Sequence, residues 1–226
     1  MKSRIQSKND YTFYLEADRL SLGRQRTLVF SLDWLKEQIF RDRIYRFQRL
    51  LRKVEYYQNC KKHTFIGQLI FLFLYRKFLN ESIRLGFSIH PNNFGPGLAI
   101  AHYGTIVVNQ SARIGANCRI HVDVNIGTEA GFSDKAPHIG DNIYIGPGAK
   151  IFGSIRIADG CVIGANSVVN NNFDLPGKLI LGVPAKDHGD VDSTKYLRQG
   201  TTGVGDPLWD ELNGLTGNEI KSALNE

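Results

Sequence analysis

Apolar positions along the chain obey two rules, and the change from one to the other falls near residue 88. In DWLKEQIFRDRIYRFQRLLRKVEYY (33–57), Leu35, Ile39, Ile44, Phe47, Leu51 and Val54 recur at helical spacing, with Asp33 placed to cap the helix. A second helix is predicted over 64–84. Its middle, FIGQLIFLFLY (65–75), is almost wholly apolar, which predicts a buried helix. Residues 1–30 give only weak signals. From residue 89 the helical period disappears while Gly, Asn and Ile rise. Counting in sixes gives His102, Val108, Ile114, Ile120 and Ile126, then, after a break, Ile139, Ile145, Ile151, Ile157, Ile163 and Val169. The break, TEAGFSDKAPH (128–138), reads as an excursion from the repeat. Two residues before these positions stand Ala112, Cys118, Val124, Ile143, Ala149, Ile155, Cys161 and Ser167, mostly small.

A period of six with one large and one small inward residue predicts a parallel β-helix. Each hexad forms one short flat face and a turn, three faces close a coil, and each coil pairs with the next. Gly and Asn suit the tight corners. The six-residue form coils left-handed, an exception to the right-handed crossover rule. The predicted fold class is therefore mainly β, a left-handed parallel β-helix of hexapeptide repeats, with an α-helical N-terminal region. Three stretches follow: a helical region over 1–88, the coil over 89–186 and a tail over 187–226. In the tail, DPLWDELNGL and GNEIKSALNE have the pattern of short helices.

Composition changes this picture little. The chain has 226 residues and a formal charge of +6, which favours anionic partners. Three scattered cysteines, Cys60, Cys118 and Cys161, have no metal-ligand spacing and suggest a reducing, cytoplasmic setting. No leader-like apolar run opens the chain, and the run at 65–75 is too short to span a bilayer. From Arg41 to Lys62 there are eight Lys or Arg against two acids. A solvated helix face is the plain reading of that segment. Peripheral contact with the inner face of a membrane is the second reading. Nucleic acid is not expected, because no nucleic-acid module accompanies the charge.

Four segments carry a resemblance: SIHPNNFGPGLAIAHYG (88–104), NIGT with its following loop (125–138), IGPGAKIFGSIRIADGCVIGANSVV (145–169) and LGVPAK (181–186). Together they resemble the catalytic half of the hexapeptide-repeat acyltransferases, serine acetyltransferases in particular, over roughly 90 to 100 residues. The resemblance implies acetyl-CoA as co-substrate, no metal, and a homotrimer with its clefts between neighbouring coils. It places the acyl donor along Gly146, Gly148 and Ala149, then Gly164, Ala165 and Ser167, then Gly182, Pro184, Ala185 and Lys186, with Lys186 as a counter-charge. The departures also matter. Where that family reads D-I-H-P, D-H-A-T-G and D-R-H-P, this chain reads Ser88-Ile-His-Pro, Ala101-His-Tyr-Gly and Asp134-Lys-Ala-Pro.

An alcohol needs a base to become a nucleophile, and the resemblance assigns His102 that task. Its place in the count of six is inward, where an apolar residue belongs, which argues for a retained chemical role. Ser88 stands where the resemblance has an orienting Asp, and Glu129 is a second candidate orienter. Lys135 stands in the acceptor-binding segment. His121, one residue after inward Ile120, is expected to face outward toward an acceptor cleft. Cys118 and Cys161 read as core, and no Gly-x-Ser-x-Gly elbow is present, so direct transfer is expected rather than an acyl-enzyme. Free serine needs charged partners for its amine and carboxylate, and Ala101 and Ala136 supply none. The expected acceptor is therefore a sugar hydroxyl of a capsule, exopolysaccharide or lipopolysaccharide, with serine as the alternative. A zinc hydratase on the same coil would need a third His close after His138. A scaffold would bind no acetyl-CoA.

Overall fold

The computed structural model describes residues 4–24 and 42–201. Asp33, Leu35 and Ile39, and both short helices expected in the tail, lie outside the described residues. Among the described residues three α-helices precede the coil: α1 (Lys8–Ser21), α2 (Arg43–Tyr56), which runs on into a short π-helical turn (Tyr57–Lys61), and α3 (Phe65–Leu85). Ser7 caps α1 and Asp42 caps α2, each side chain accepting backbone N–H groups of the first turn. Thr64 caps α3 through Gly67 N, and Gly86, at φ 78°, ends it. Helix α1 lies in the stretch where the pattern gave only weak signals. Its inward face is unusually polar, burying Glu16, Asp18 and Arg19 beside Tyr14 and Ala17.

Fourteen short strands follow, β1 (Phe87–Ser88) to β14 (Ala185–Asp190). From β2 to β12, strand n pairs in parallel with strand n + 3. One sheet runs β1-β3-β6-β9-β12, a second β4-β7-β10, and the third carries β2-β5-β8-β11-β13 before the antiparallel β14. Bridges from Phe94 to Ile114 and from Ile157 to Phe173 extend the second sheet at both ends. Three faces and a rise of one strand per turn make a three-sided parallel coil. Every position from Val108 to Val169 in the count of six is buried, and so is every small position two residues before. Each coil places a left-handed residue at the corner between second and third sheets: Gly97, Asn117, Asn142, Gly160 and Gly177. Asn117 Nδ2 donates to Asn142 Oδ1 at 2.8 Å, so successive corners also bind one another. Only Gly and Asn or Asp adopt that conformation cheaply, which accounts for the composition of this stretch.

Helix α3 corrects one expectation. Its apolar middle is not buried. Phe71, Leu74 and Phe78 face the core, with Phe78 stacked on Phe47 of α2 at 5.4 Å, while Phe65, Ile66, Leu69, Ile70, Leu72 and Phe73 are exposed. A helix apolar all round predicts burial only when neighbours surround it, and here α2 and the coil cover one side.

The helices grip the coil through a buried polar cluster. Arg52 is fully buried. Its Nε and Nη2 donate to Asp18 at 2.8 and 3.2 Å, and its Nη1 to Glu55 at 3.0 Å. The same guanidinium reaches the Phe94 and Gly95 carbonyls at 3.0 and 2.6 Å. Asp18 Oδ1 accepts Gly97 N and Leu98 N, both at 2.9 Å, and Gln48 bonds Leu98 O and Ile100 N. Burial pushes both carboxyls up in pKa, while Arg52 and the backbone amides pull them down. Removing the guanidinium strands two buried carboxyls. Arg52→Ala is therefore expected to cost about 3–5 kcal/mol in urea unfolding. Arg52→Lys should recover only a fraction of that, since an ammonium cannot span both carboxylates and two carbonyls. A loss in Arg52→Ala no larger than that of a surface substitution would refute the clamp.

Candidate active site

His102 follows β2 (Ala99–Ile100) and precedes β3 (Ile106–Val108). In the cross-section Ile100 pairs with Ile120 and Ile106 with Val124. The connection above is 101–105, five residues, where 121–123, three residues, suffices one coil below. The inward positions are thus Ile100 and Ile106, both buried, and His102 is exposed. This corrects the expectation that His102 is inward. The count of six fails there because Ile100 and Val108, the partners of Ile120 and Ile126, stand eight residues apart instead of six. The added pair of residues lifts His102 out of the coil. Gly104, at φ 130°, permits the lift: a Cβ there would come within 2.5 Å of Val122. The corner is held by Gly104 N donating to Leu85 O at 2.9 Å, the C-terminal end of α3.

The connections from the third sheet to the first stack on one edge of the coil. They are 101–105, 121–123, 146–149 and 164–167, and the Gly182–Ala185 turn ends the row. The fold therefore brings His102, His121 and the whole expected acyl-donor set, Gly146 through Lys186, to a single edge. Within that set Ala149, Ser167 and Ala185 have buried side chains, and Ser167 Oγ accepts Gly182 N at 3.2 Å. They shape the edge from within, and only their backbone borders it. Gly148 is required by the coil itself, since a Cβ there would lie 2.0 Å from Asn166 Oδ1.

His121 is half-buried. Its ring centroid lies 6.0 Å from that of His102 and 5.1 Å from Tyr144, and Tyr144 is 5.4 Å from Tyr196. His121 Nε2 is buried with no hydrogen-bond partner among the described residues. Burial first, then the charge of Arg119 and then His102 hold its pKa below the ordinary imidazole value. Asp123 caps the same corner, accepting from Lys150 Nζ at 2.9 Å through Oδ1, while its N–H donates to Thr105 O at 2.6 Å. Sequence reasoning missed Asp123, Arg119, Lys150, Tyr144 and Tyr196. Asp123 had one signal, an acid at a hexad corner where Gly or Asn is usual. The others stand on different hexads and meet only through coil pairing.

The remaining candidates sit elsewhere. Ser88 is exposed on β1, and no hydrogen bond joins its hydroxyl to His102 among the described residues. Glu129 and Lys135 pair with each other at 3.2 Å at the neck of the loop between β6 and β7. Lys135 also lies over the Phe132 ring. That loop joins the first sheet to the second and stands on a different edge from His102. A groove of about 400 Å³ lies on the second sheet, lined by Arg113, His138 and Arg156, and no acyl-donor candidate borders it.

Residues 136–171 match the family described as bacterial transferase hexapeptide (six repeats). Over 137 residues, 58% of the chain, the sequence is 35% identical to the serine acetyltransferase of Staphylococcus xylosus. The chain spans 61% of that relative's length. Among solved structures, the serine acetyltransferase of Neisseria gonorrhoeae matches at a TM-score of 0.61 and 26% identity, covering 81% of this chain and 68% of that one. That of Brucella abortus strain S19, in complex with coenzyme A, matches at 0.61 and 24%, covering 81% and 70%, a likeness of fold. These relatives overturn the sugar O-acetyltransferase reading: they are serine acetyltransferases. Charged ligands missing from three short motifs do not decide the acceptor, because the coil brings charge of both signs to the same edge from other hexads.

Because the His121 pKa is depressed, its resonance in a histidine NMR titration should show a midpoint below 6.5. His102→Asn should raise that midpoint by removing one repulsive charge. The sign for stability follows: a depressed imidazole favours the fold above its unfolded pKa, and that contribution is lost as pH falls through the folded value. An elevated midpoint would contradict the desolvated environment.

Proposed function

We propose that this chain is an acetyl-CoA-dependent O-acetyltransferase whose acceptor is the hydroxyl of L-serine. The observation that carries the reading is the stacking of His102 and the small-residue corners on one coil edge, in a sequence 35% identical to a serine acetyltransferase. The complex of the Brucella relative with coenzyme A supports the choice of donor. His102 removes the proton of the serine hydroxyl as its oxygen attacks the thioester carbonyl. The tetrahedral intermediate expels the CoA thiolate, which takes the proton back from the imidazolium. Both substrates meet on one edge, so positioning supplies much of the rate. A backbone N–H along the corners stabilises the oxyanion.

In this proposal Asp123 meets the serine amine, and Arg119 with Lys150 meets the carboxylate, in place of the acid and Arg-His pair absent from the motifs. The transferring unit is residues 89–186, a left-handed coil, between the helical region (1–88) and the tail (187–226). It works as a homotrimer: the Glu129–Lys135 loop stands on another edge, and a neighbouring copy would bring one to face His102. Lys186 is the counter-charge for the donor's phosphates.

Release of free CoA from acetyl-CoA is expected with L-serine and not with sugars. His102→Ala should lower kcat about 10²- to 10⁴-fold without loss of fold. Binding of acetyl-CoA without turnover on serine would overturn the acceptor, and full activity in His102→Ala would overturn the base. Asp123→Asn should raise KM for serine while leaving KM for acetyl-CoA nearly unchanged. Equal effects on both would remove Asp123 from amine recognition.

A further inference from the structure

The proposed acetyl transfer uses no residue on the exposed side of α3. Phe65, Ile66, Leu69, Leu72 and Phe73 are each more than half exposed, at 77, 71, 53, 55 and 59%, and they form one continuous strip by their i, i+3, i+4 and i+7 spacing. Ordinary soluble surfaces carry single apolar residues, not such a strip. Its borders are cationic. Lys61 and Lys62 precede the helix, and Arg76 and Lys77 continue the strip one turn below Leu72 and Phe73. Lys77 Nζ lies 4.5 Å from the Phe73 ring centre and Lys62 Nζ 4.8 Å from that of Phe71, so both stems lie along the apolar side chains. From Tyr56 to Asn80 the chain has four Lys or Arg and no Asp or Glu. The nearest acid beyond, Glu81, is buried and paired with Arg46 and Arg84.

We propose that this face of α3 docks on an anionic lipid bilayer, with the helix lying in the plane of the interface. Burying the strip needs an apolar partner, and the acid-free border needs a negative one. A bilayer containing acidic phospholipid offers both at the required depth. A two-fold contact through the same face would bring two sets of cations together. No helix among the described residues is long and apolar enough to cross a membrane, so the contact is peripheral. The docking surface differs from the one the charge count suggested. In α2, Arg52 is buried and Phe47, Leu51 and Val54 face the core, which leaves α2 no apolar face to insert.

The test is sedimentation of the full chain with vesicles of phosphatidylcholine alone, or mixed with phosphatidylglycerol. It is independent of acetyl transfer, so failure of one reading does not touch the other. Binding is expected only with phosphatidylglycerol, weakened by salt. A Leu69→Gln, Phe73→Gln chain and a Lys61→Gln, Lys62→Gln chain should each partition about tenfold less or weaker still. These side chains are exposed, so folding should persist, which circular dichroism checks. Failure to bind acidic vesicles, or equal binding to neutral ones, would overturn the proposal. So would an oligomer that Leu69→Gln, Phe73→Gln converts to a smaller species without any vesicle binding, which would assign the face to contacts between copies.

Discussion

A single buried guanidinium joins the two halves of this molecule. Arg52, on α2, is enclosed by Asp18 of α1, Glu55 one turn along its own helix, and the carbonyls of Phe94 and Gly95. Segment 92–100 is where the chain enters the coil, and short strands cannot position it alone. Asn92 N donates to Glu55, Gly97 and Leu98 to Asp18, and Ile100 to Gln48. The helical region thus templates the first turn of the coil. An isolated charge in this interior would be prohibitive, and the cluster is tolerable because nearly every donor and acceptor in it is matched.

That grip extends to the candidate chemistry. The corner bearing His102 follows directly from Ile100, held by Gln48, and is tied to the end of α3 through Gly104 and Leu85. The loop is therefore fixed from two sides although His102 itself is exposed. His121 beneath it is the more confined ring, with a buried nitrogen and a depressed pKa. The two imidazoles, a tyrosine pair and an Asp–Lys pair share one edge with the small-residue corners. This arrangement comes from stacking hexads far apart in sequence. Exposed candidate groups on a rigid solenoid edge would suit the proposed reaction, in which the protein mainly positions two substrates.

Much of this was readable from the chain. Every position of the six-residue count from Val108 to Val169 is inward, because an inward apolar residue recurs wherever a flat face must close on the core. Gly and Asn at corners foretold the left-handed residues there. The segments expected to hold an acyl donor come from resemblance, and coil pairing places them along one edge. The polar clamp was not readable: Asp18, Gln48, Arg52 and Glu55 look in sequence like solvated helix faces. Only packing against residues 92–100 turns them inward. Nor was the solvent-facing strip of α3, since an apolar helix does not state how many neighbours it has.

The sequence by itself determined the repeat, its inward ladder and the residue types at its corners, because those follow from local geometry repeated at fixed intervals. Tertiary structure alone decided the direction of His102. A count of six runs through residue 102 as readily as through a true inward position, and only the pairing of Ile100 with Ile120 and Ile106 with Val124 exposes the two added residues. It also decided which charges stand near that imidazole. Proximity across coils depends on register between strands some twenty residues apart, and no local pattern carries that register.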